Sequence, residues 1–504
     1  MNVASQQLVI YGWIMVLALM AAILILVIRG AKNTKNMQDY ALGSFVFSPV
    51  AVGLSLAASM TSAATFIINP GFIALYGISG VISYAIVLPA AAMVSLVILS
   101  KGFRRYGQTV KVFTIPQWMG TRYQSKGFQF FFGILSLLLI TFIVLIAVGL
   151  TKVLSKTLNI SELAALIGII VFIFGYMMFG GANSMVYTNT IQGSIMLLVA
   201  IILLGSGYEH FSHGVHGFLN ELRNIDPNLA TMTNKTSFLF RDWFEIGIAQ
   251  IVVGVAIVCQ PHIITKSLFL KTDKDVNRFL VVAVVVEIIF FLVVFTGLYA
   301  RLAFPDLMLN GVPLKMDGII SAYVVQEFPV FVGLIVVLGL IAAGLSTLEG
   351  LIQSVSTIVT SDIIKPILIR AKSELVNNDR QMVLINRAVI AVLAIISILL
   401  SYQQLVHPKL SVAIFAQNGV YAFFAAAFFP LLFGMFNPKT PTQAAIAASV
   451  TAIGVHFSMY YGKLGVPLTI ATGENPGVAA AVAIIASVLV GSAIVIFDRK
   501  RVNV

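Results

Sequence analysis

Charge is what this sequence has least of. Asp, Glu, Lys and Arg make up 10% of its 504 residues, where a soluble domain carries about 25%. Hydrophobic residues make up 59%. A chain so short of polar side chains cannot cover a water-facing surface, which excludes a soluble enzyme, a nucleic-acid binder and a secreted module. Cysteine is nearly absent: Cys259 stands alone, so no intramolecular disulfide can form, and its apolar neighbours make it a small packing residue. Acidic residues are scarcer than basic ones, 19 against 31, for a net charge of +12. Cytoplasmic loops of polytopic membrane proteins collect Lys and Arg, so this excess needs no nucleic acid. Catalytic signatures are missing as well. There is no nucleophilic triad, zinc-protease helix, redox cysteine pair, Walker loop or dinucleotide fingerprint. His210, His213 and His216 have an i, i+3 spacing that could bind a metal on a helix. They fall in a polar connection, where solvated side chains are the simpler account.

Long apolar runs are what the chain has in abundance. They cover residues 8–29, 46–69, 72–100, 128–150, 162–180, 187–207, 242–265, 279–303, 330–362, 388–403, 411–436, 442–461 and 477–497. A spanning helix needs about 20 such residues, so the expectation is an all-α polytopic membrane protein with about thirteen transmembrane helices. The runs 72–100 and 330–362 exceed a bilayer thickness, which calls for tilt, a kink or extension past the membrane. The first run has no basic segment before it and is expected to be a retained helix, not a cleaved signal. With thirteen spans the termini lie on opposite sides. Placing the N-terminus outside puts 22 of the 31 Lys and Arg residues, Lys266 among them, on inner connections. The positive-inside rule therefore predicts N-terminus out and C-terminus in. The largest connections, 208–241 outside (with a short helix expected) and 364–387 inside, are too short for a soluble domain. The chemistry is expected within the bundle.

Backbone and side-chain polar groups in lipid must be satisfied, so polar interruptions of spans point to cavities or tight packing. Four stand out. The stretch Leu54–Phe66 is rich in Ser, Thr and Ala, and Asn69-Pro70-Gly71 follows it. It reads as a locally unwound helix whose carbonyls could coordinate a cation, or as close packing through small residues. In the second, adjacent Ser346 and Thr347 offer hard oxygen ligands, with Ala343 one turn below; simple back-bonding to the helix is the alternative. Glu349 follows. A mid-span carboxylate is costly unless paired, protonated or solvated, so it could ligate a second cation, carry a proton, pair with a cationic solute, or bond structurally as an acid to a neighbouring helix. Glu287 is a weaker candidate of the same kind. The third interruption, Cys259-Gln260-Pro261-His262, breaks a helix at proline and reads as a cavity lining or an inner helix end. The fourth, Gln417-Asn418 beside Gly419, either touches solute or ties helices together.

These residues together resemble the sodium:solute symporter family, whose members include sodium/proline, sodium/pantothenate, sodium/sugar and sodium-coupled monocarboxylate transporters. Ala58–Ala63 is similar to the family's unwound first core helix. Ala342–Thr347 followed by Ser361-Asp362-Ile363 resembles its eighth, and Gln260-Pro261-His262 the motif ending its sixth. The run Phe174-Gly175-Tyr176, Phe179-Gly180-Gly181, Thr188-Asn189 and Ile191-Gln192 resembles a further motif, with Asn189 where aspartate is usual. The resemblance covers nearly the whole chain. It implies one transporter domain with a fold like the leucine transporter: two inverted five-helix repeats at 46–207 and 242–436, an extra first helix at 8–29 and two extra helices at 442–497. It further implies a sodium site of the carbonyls of Ala58, Thr61 and Ala343 and the hydroxyls of Ser346 and Thr347. Glu349 is a candidate for a second cation or a proton. The solute cavity would border Ser62, Ala63, Thr65, Gln260, His262 and Gln417.

Some positions depart from particular members of the family. Met60 stands where proline transporters have a functional aspartate, and Ala64-Thr65 where sugar transporters carry a Glu-Gln pair. The 128–150 span has no arginine, which sialic-acid transporters use there. Glu349 stands where some relatives place a serine. By elimination the expected solute is a small carboxylate of the pantothenate or monocarboxylate kind, imported with sodium by alternating access. A proton-coupled carrier using Glu349, or a sodium symporter for an amino acid, sugar or sialic acid, are the alternatives. The expected partners are sodium, one small solute and the lipid of the cell (inner) membrane, with no cofactor and no nucleic acid.

Overall fold

The computed structural model describes residues 6–44, 47–110, 112–407 and 411–502. Residue 46, the expected start of the first repeat, and Lys111 of the inner connections lie outside the described residues. Helices dominate. Ten are long and apolar enough to cross a bilayer: α1 (Gln6–Ala31), α4 (Ile78–Tyr106), α5 (Lys126–Leu158), α6 (Glu162–Gly205), α9 (Asp273–Ala303), α10 (Val330–Arg370), α11 (Asp379–Val406), α12 (Val412–Phe436), α13 (Thr442–Gly462) and α14 (Pro476–Asp498). Two further spans are bent pairs: α2 (Pro49–Met60) with α3 (Ala64–Tyr76), at 53°, and α7 (Phe244–Ile257) with α8 (Pro261–Phe269), at 58°. That makes up to twelve spans among the described residues.

The difference from the expected thirteen lies in α6. The runs 162–180 and 187–207 join in one element of 44 residues, which would be about 66 Å long if straight, twice the hydrocarbon thickness of about 30 Å. It is interrupted at Gly181, whose φ of 58° and ψ of −160° are non-helical. A Cβ there would sit 2.8 Å from the Tyr40 ring. The boundary near residue 70 also moves. Pro70 was expected to end a span, yet α3 runs on to Tyr76 because its first turn, Ala64–Ile68, is a wide π-helix. Such a turn re-spaces the hydrogen-bond ladder, and so accommodates a proline that would break a regular helix. The actual turn is Gly77, at φ 72°, where a Cβ would lie 2.0 Å from the Leu229 carbonyl oxygen.

The long polar connection after α6 holds the expected short helix, Gly214–Ile225. There His210 pairs with Glu221 at 2.9 Å, and no group of three or more metal-ligating side chains forms among the described residues. A two-stranded ribbon, Met308–Leu309 with Val312–Pro313, caps the segment before α10. Burial divides the bundle into a core and a rim. The most apolar window of α1 is 22% buried, whereas those of α10 and α12 are 72% and 78% buried. Two of the four polar interruptions, at Ser346–Glu349 and at Gln417-Asn418, therefore sit on the two most enclosed of these ten helices.

Candidate functional site

The two bends are built by different chemistry. Between α2 and α3, Thr61 is extended, at φ −97° and ψ 95°. Its N–H donates to the Ala57 carbonyl at 3.0 Å, as does its hydroxyl. Ser62 then caps the second half: its hydroxyl accepts the Ala64 N–H at 3.0 Å, and its carbonyl accepts Thr65 and Phe66 at 2.9 and 3.2 Å. A serine in this role satisfies the helix N–H groups that a break would orphan. The carbonyls of Ala58 and Ser59, at the end of α2, receive no such help from the chain that follows.

They meet α10 instead. The Ser346 hydroxyl donates to the Ala58 carbonyl at 2.7 Å and lies 3.1 Å from that of Ala343. The Thr347 hydroxyl is 3.2 Å from the carbonyls of both Ser59 and Ala343, and 3.5 Å from Ala58. Three carbonyls and two hydroxyls thus converge, with only two hydroxyl protons to share among them. Such an excess of hard oxygens suits a small cation. All of these residues are fully buried. Of the five sequence-predicted ligands, Ala58, Ala343, Ser346 and Thr347 are brought together. Thr61 lies two residues beyond in the bend, and no hydrogen bond among the described residues joins it to Ser346 or Thr347. Ser59 takes part and was not anticipated.

One turn along α10, Glu349 is fully buried and accepts from Tyr176 at 2.6 Å, Thr188 at 2.5 Å and Gln192 at 3.0 Å. All three donors come from the α6 run whose motif was noted in the sequence. These three contacts tie α10 to α6 through one carboxyl group. Asn189, on the same helix, donates to the Ser59 hydroxyl at 3.0 Å. Glu287 is also buried, with neither carboxylate oxygen hydrogen-bonded.

The second bend is made by Pro261, the first residue of α8, where its missing N–H costs nothing. The Gln260 carbonyl accepts the N–H groups of Ile263 and Ile264, both at 3.1 Å. Four residues along α8 from His262, Lys266 turns into the bundle and is 1% exposed. Its ammonium donates to the Ser55 carbonyl at 2.6 Å, the Ser55 hydroxyl at 2.9 Å and the Ser59 hydroxyl at 2.6 Å. The positive-inside pattern groups Lys266 with the inner-loop cations. Its i, i+4 relation to His262, amid Ile263, Ile264 and Phe269, is the signal that could have found it.

Beside both bends lies a cavity of about 90 Å³. Ser62, Thr65, Gln260 and Gln417 line it, together with Asn69, Tyr84 and Tyr421. No charged side chain does. Ala63 and His262 are absent from this lining. Ala63 faces Gly149 of α5. His262 is buried against Gly350 and Phe142, with neither ring nitrogen hydrogen-bonded. A separate cleft of about 430 Å³ opens where the end of α5 meets the segment before α10. Lys152, Lys156 and Lys315 line it with one acidic residue, Glu162, which pairs with Lys152 at 2.5 Å.

Comparison with known proteins gives this arrangement a family. Residues 40–452 match the profile of the sodium:solute symporter family, and the chain belongs to it. Sodium/pantothenate symporters of Haemophilus influenzae and Escherichia coli are each 26% identical to it. The match to the first spans 87% of both chains, and that to the second 82% of both. Among solved structures, a sodium-coupled sialic acid symporter shares the fold, with a TM-score of 0.76, 18% identity and coverage of 96% of this chain and 97% of that one. The protein is a multi-pass membrane transporter of the cell membrane and not an enzyme.

Proposed function

We propose that this protein imports a small organic carboxylate together with sodium by alternating access. The observation that carries the reading is the convergence of the Ser346 and Thr347 hydroxyls on the carbonyls of Ala58, Ser59 and Ala343. A sodium ion there replaces hydroxyl donation with coordination and ties the broken end of α2 to α10. That link stabilises one conformation of the carrier, so solute binding and sodium binding strengthen each other by the same factor. The solute site is the adjoining cavity, where Ser62, Thr65, Gln260 and Gln417 supply hydroxyl and amide hydrogen bonds.

Two features favour a carboxylate. The cavity offers several neutral donors and no acid that would repel an anion. The lysine-lined cleft draws anions toward the carrier by its field. Relatives named for pantothenate point the same way. Half-helices broken at mid-bilayer are the general way such carriers build their sites. The proposed topology counts α6 as two spans divided at Gly181, which restores thirteen, with the N-terminus outside, the C-terminus inside and inverted repeats near 46–207 and 242–436. A proton-coupled carrier using Glu349 is the second reading; the hydroxyl and carbonyl convergence at Ser346 and Thr347 favours sodium.

Purified protein in liposomes tests the proposal. Labelled pantothenate, acetate, pyruvate, proline, glucose and sialic acid are offered with and without an inward sodium gradient. Saturable, sodium-stimulated uptake of a carboxylate that is lost in Ser346→Ala and Thr347→Ala is the expected result. Uptake driven by a pH gradient alone, or unchanged sodium dependence in both variants, overturns it.

A further inference from the structure

Lys266 is buried inside a membrane protein, 1% exposed, and the cation cluster does not use it. An ammonium has three protons, and here each meets an oxygen of α2: the Ser55 carbonyl, the Ser55 hydroxyl and the Ser59 hydroxyl, at 2.6 to 2.9 Å. The Ser59 hydroxyl in turn donates to the Ser346 carbonyl at 3.2 Å. One residue therefore has its carbonyl in the Ser346–Thr347 cluster and its hydroxyl on the lysine. Glu349 follows Ser346 by one turn of α10, so a carboxyl group, a lysine and the hydroxyl cluster are all buried in one region of the bundle. Three oxygens converging on one point are what a binding position for a free monovalent cation would contain. Here the cation is attached to the chain.

We infer that Lys266 is a tethered cation: its ammonium fills a second cation position formed by Ser55 and Ser59, next to the sodium cluster. This rests on the sodium-symport reading for the neighbouring site. It sets the coupling, since the protein supplies one of the two internal positive charges and a single free sodium supplies the other. It also lowers the affinity of that sodium, because two positive charges share the end of α2. Removing the ammonium opens a position for a free alkali cation or a small alkylammonium.

The test measures cation binding directly on the full-length protein in nanodiscs, by radiolabelled sodium and by cation-dependent thermal stability. The wild type is expected to bind one sodium with a Hill coefficient near one and to ignore methylammonium. Lys266→Ala is expected to bind two sodium ions, with methylammonium competing at one of them, and the further change Ser55→Ala to remove that second ion. Lys266→Met keeps the volume without the charge and is expected to bind its single sodium about tenfold tighter; a lysine that only braced the fold would leave that affinity unchanged or weaker. Two sodium ions on the wild type overturn the inference, as does a Lys266→Ala protein that gains no cation. Should Lys266→Ala fail to fold, unchanged or weakened sodium binding by Lys266→Met overturns it equally. A wild type that binds no sodium while Lys266→Ala gains methylammonium sinks the symport reading and leaves the tethered cation standing.

Discussion

The bends at Met60–Ala63 and at Val258–Gln260 look alike in outline, 53° against 58°, yet they are made by opposite means. The first contains no proline. It opens because Thr61 is extended and Ser62 caps the helix that follows, so the Ala58 and Ser59 carbonyls at the end of α2 are left to find partners elsewhere. Those partners are hydroxyls of α10. The second is enforced by Pro261, and the carbonyl before it is taken up at once by Ile263 and Ile264. A hydroxyl-made bend thus leaves backbone oxygens available to an ion, while a proline-made bend closes its own ladder and serves to aim side chains. Gln260 is aimed at the cavity, and Lys266 at the flank of α2. One bend supplies the oxygens and the other supplies a charge beside them.

The sharpest way to break this contrast is at the hydroxyls. Ser346→Ala with Thr347→Ala removes both side-chain ligands and is expected to raise the sodium concentration for half-maximal uptake at least tenfold, about 1.4 kcal/mol or more. The corresponding Pro261→Ala change should leave that concentration within about twofold, since no backbone oxygen of the second bend faces the ion; sodium titration of uptake compares the two. Next in size is Gly181→Val. It forces a side chain into a left-handed position against Tyr40 and should cost about 1–3 kcal/mol, read as reduced thermal stability with sodium affinity preserved in the surviving protein. Ser62→Ala removes the cap on Ala64 and should cost about 1 kcal/mol. Its effect should be larger on uptake than on global stability, because the cap lies between ion and solute. The smallest effect is expected at Lys315, exposed on the rim of the lysine-lined cleft. Lys315→Glu should slow uptake of an anionic solute a few-fold at low ionic strength and little at physiological salt, where charges are screened beyond about 8 Å. Equal slowing of a neutral solute would show that the cleft does not act by its field.

Membrane character, helical class and the neighbourhood of the site were all legible in the chain. The scarcity of charge and the length of the apolar runs leave no other solvent than lipid. Ser346, Thr347 and the small-residue stretch at Ala58–Ala63 are conspicuous because hydroxyls and short side chains at mid-span need a reason. Boundaries were less legible. Pro70 reads as a stop, but a π-turn absorbs it, and a π-turn has no composition of its own. Ala63 and His262 were assigned to the cavity by their place in a motif. Which face of a bent helix points inward depends on the direction of the bend.

Lys266 marks the division most clearly. Sequence by itself determined that a lysine follows the Gln260-Pro261-His262 break, and the positive-inside rule assigns it to a loop. That rule is a statistic about segments, and it holds where side chains can reach water. Only the tertiary structure decided that the 58° bend before α8 brings the Lys266 amine to the oxygens of Ser55 and Ser59. Those oxygens lie more than two hundred residues away in the chain. The local pattern sets which groups are polar and how the backbone bends. Whether a polar group meets water, an ion or another side chain is settled by which helices pack around it.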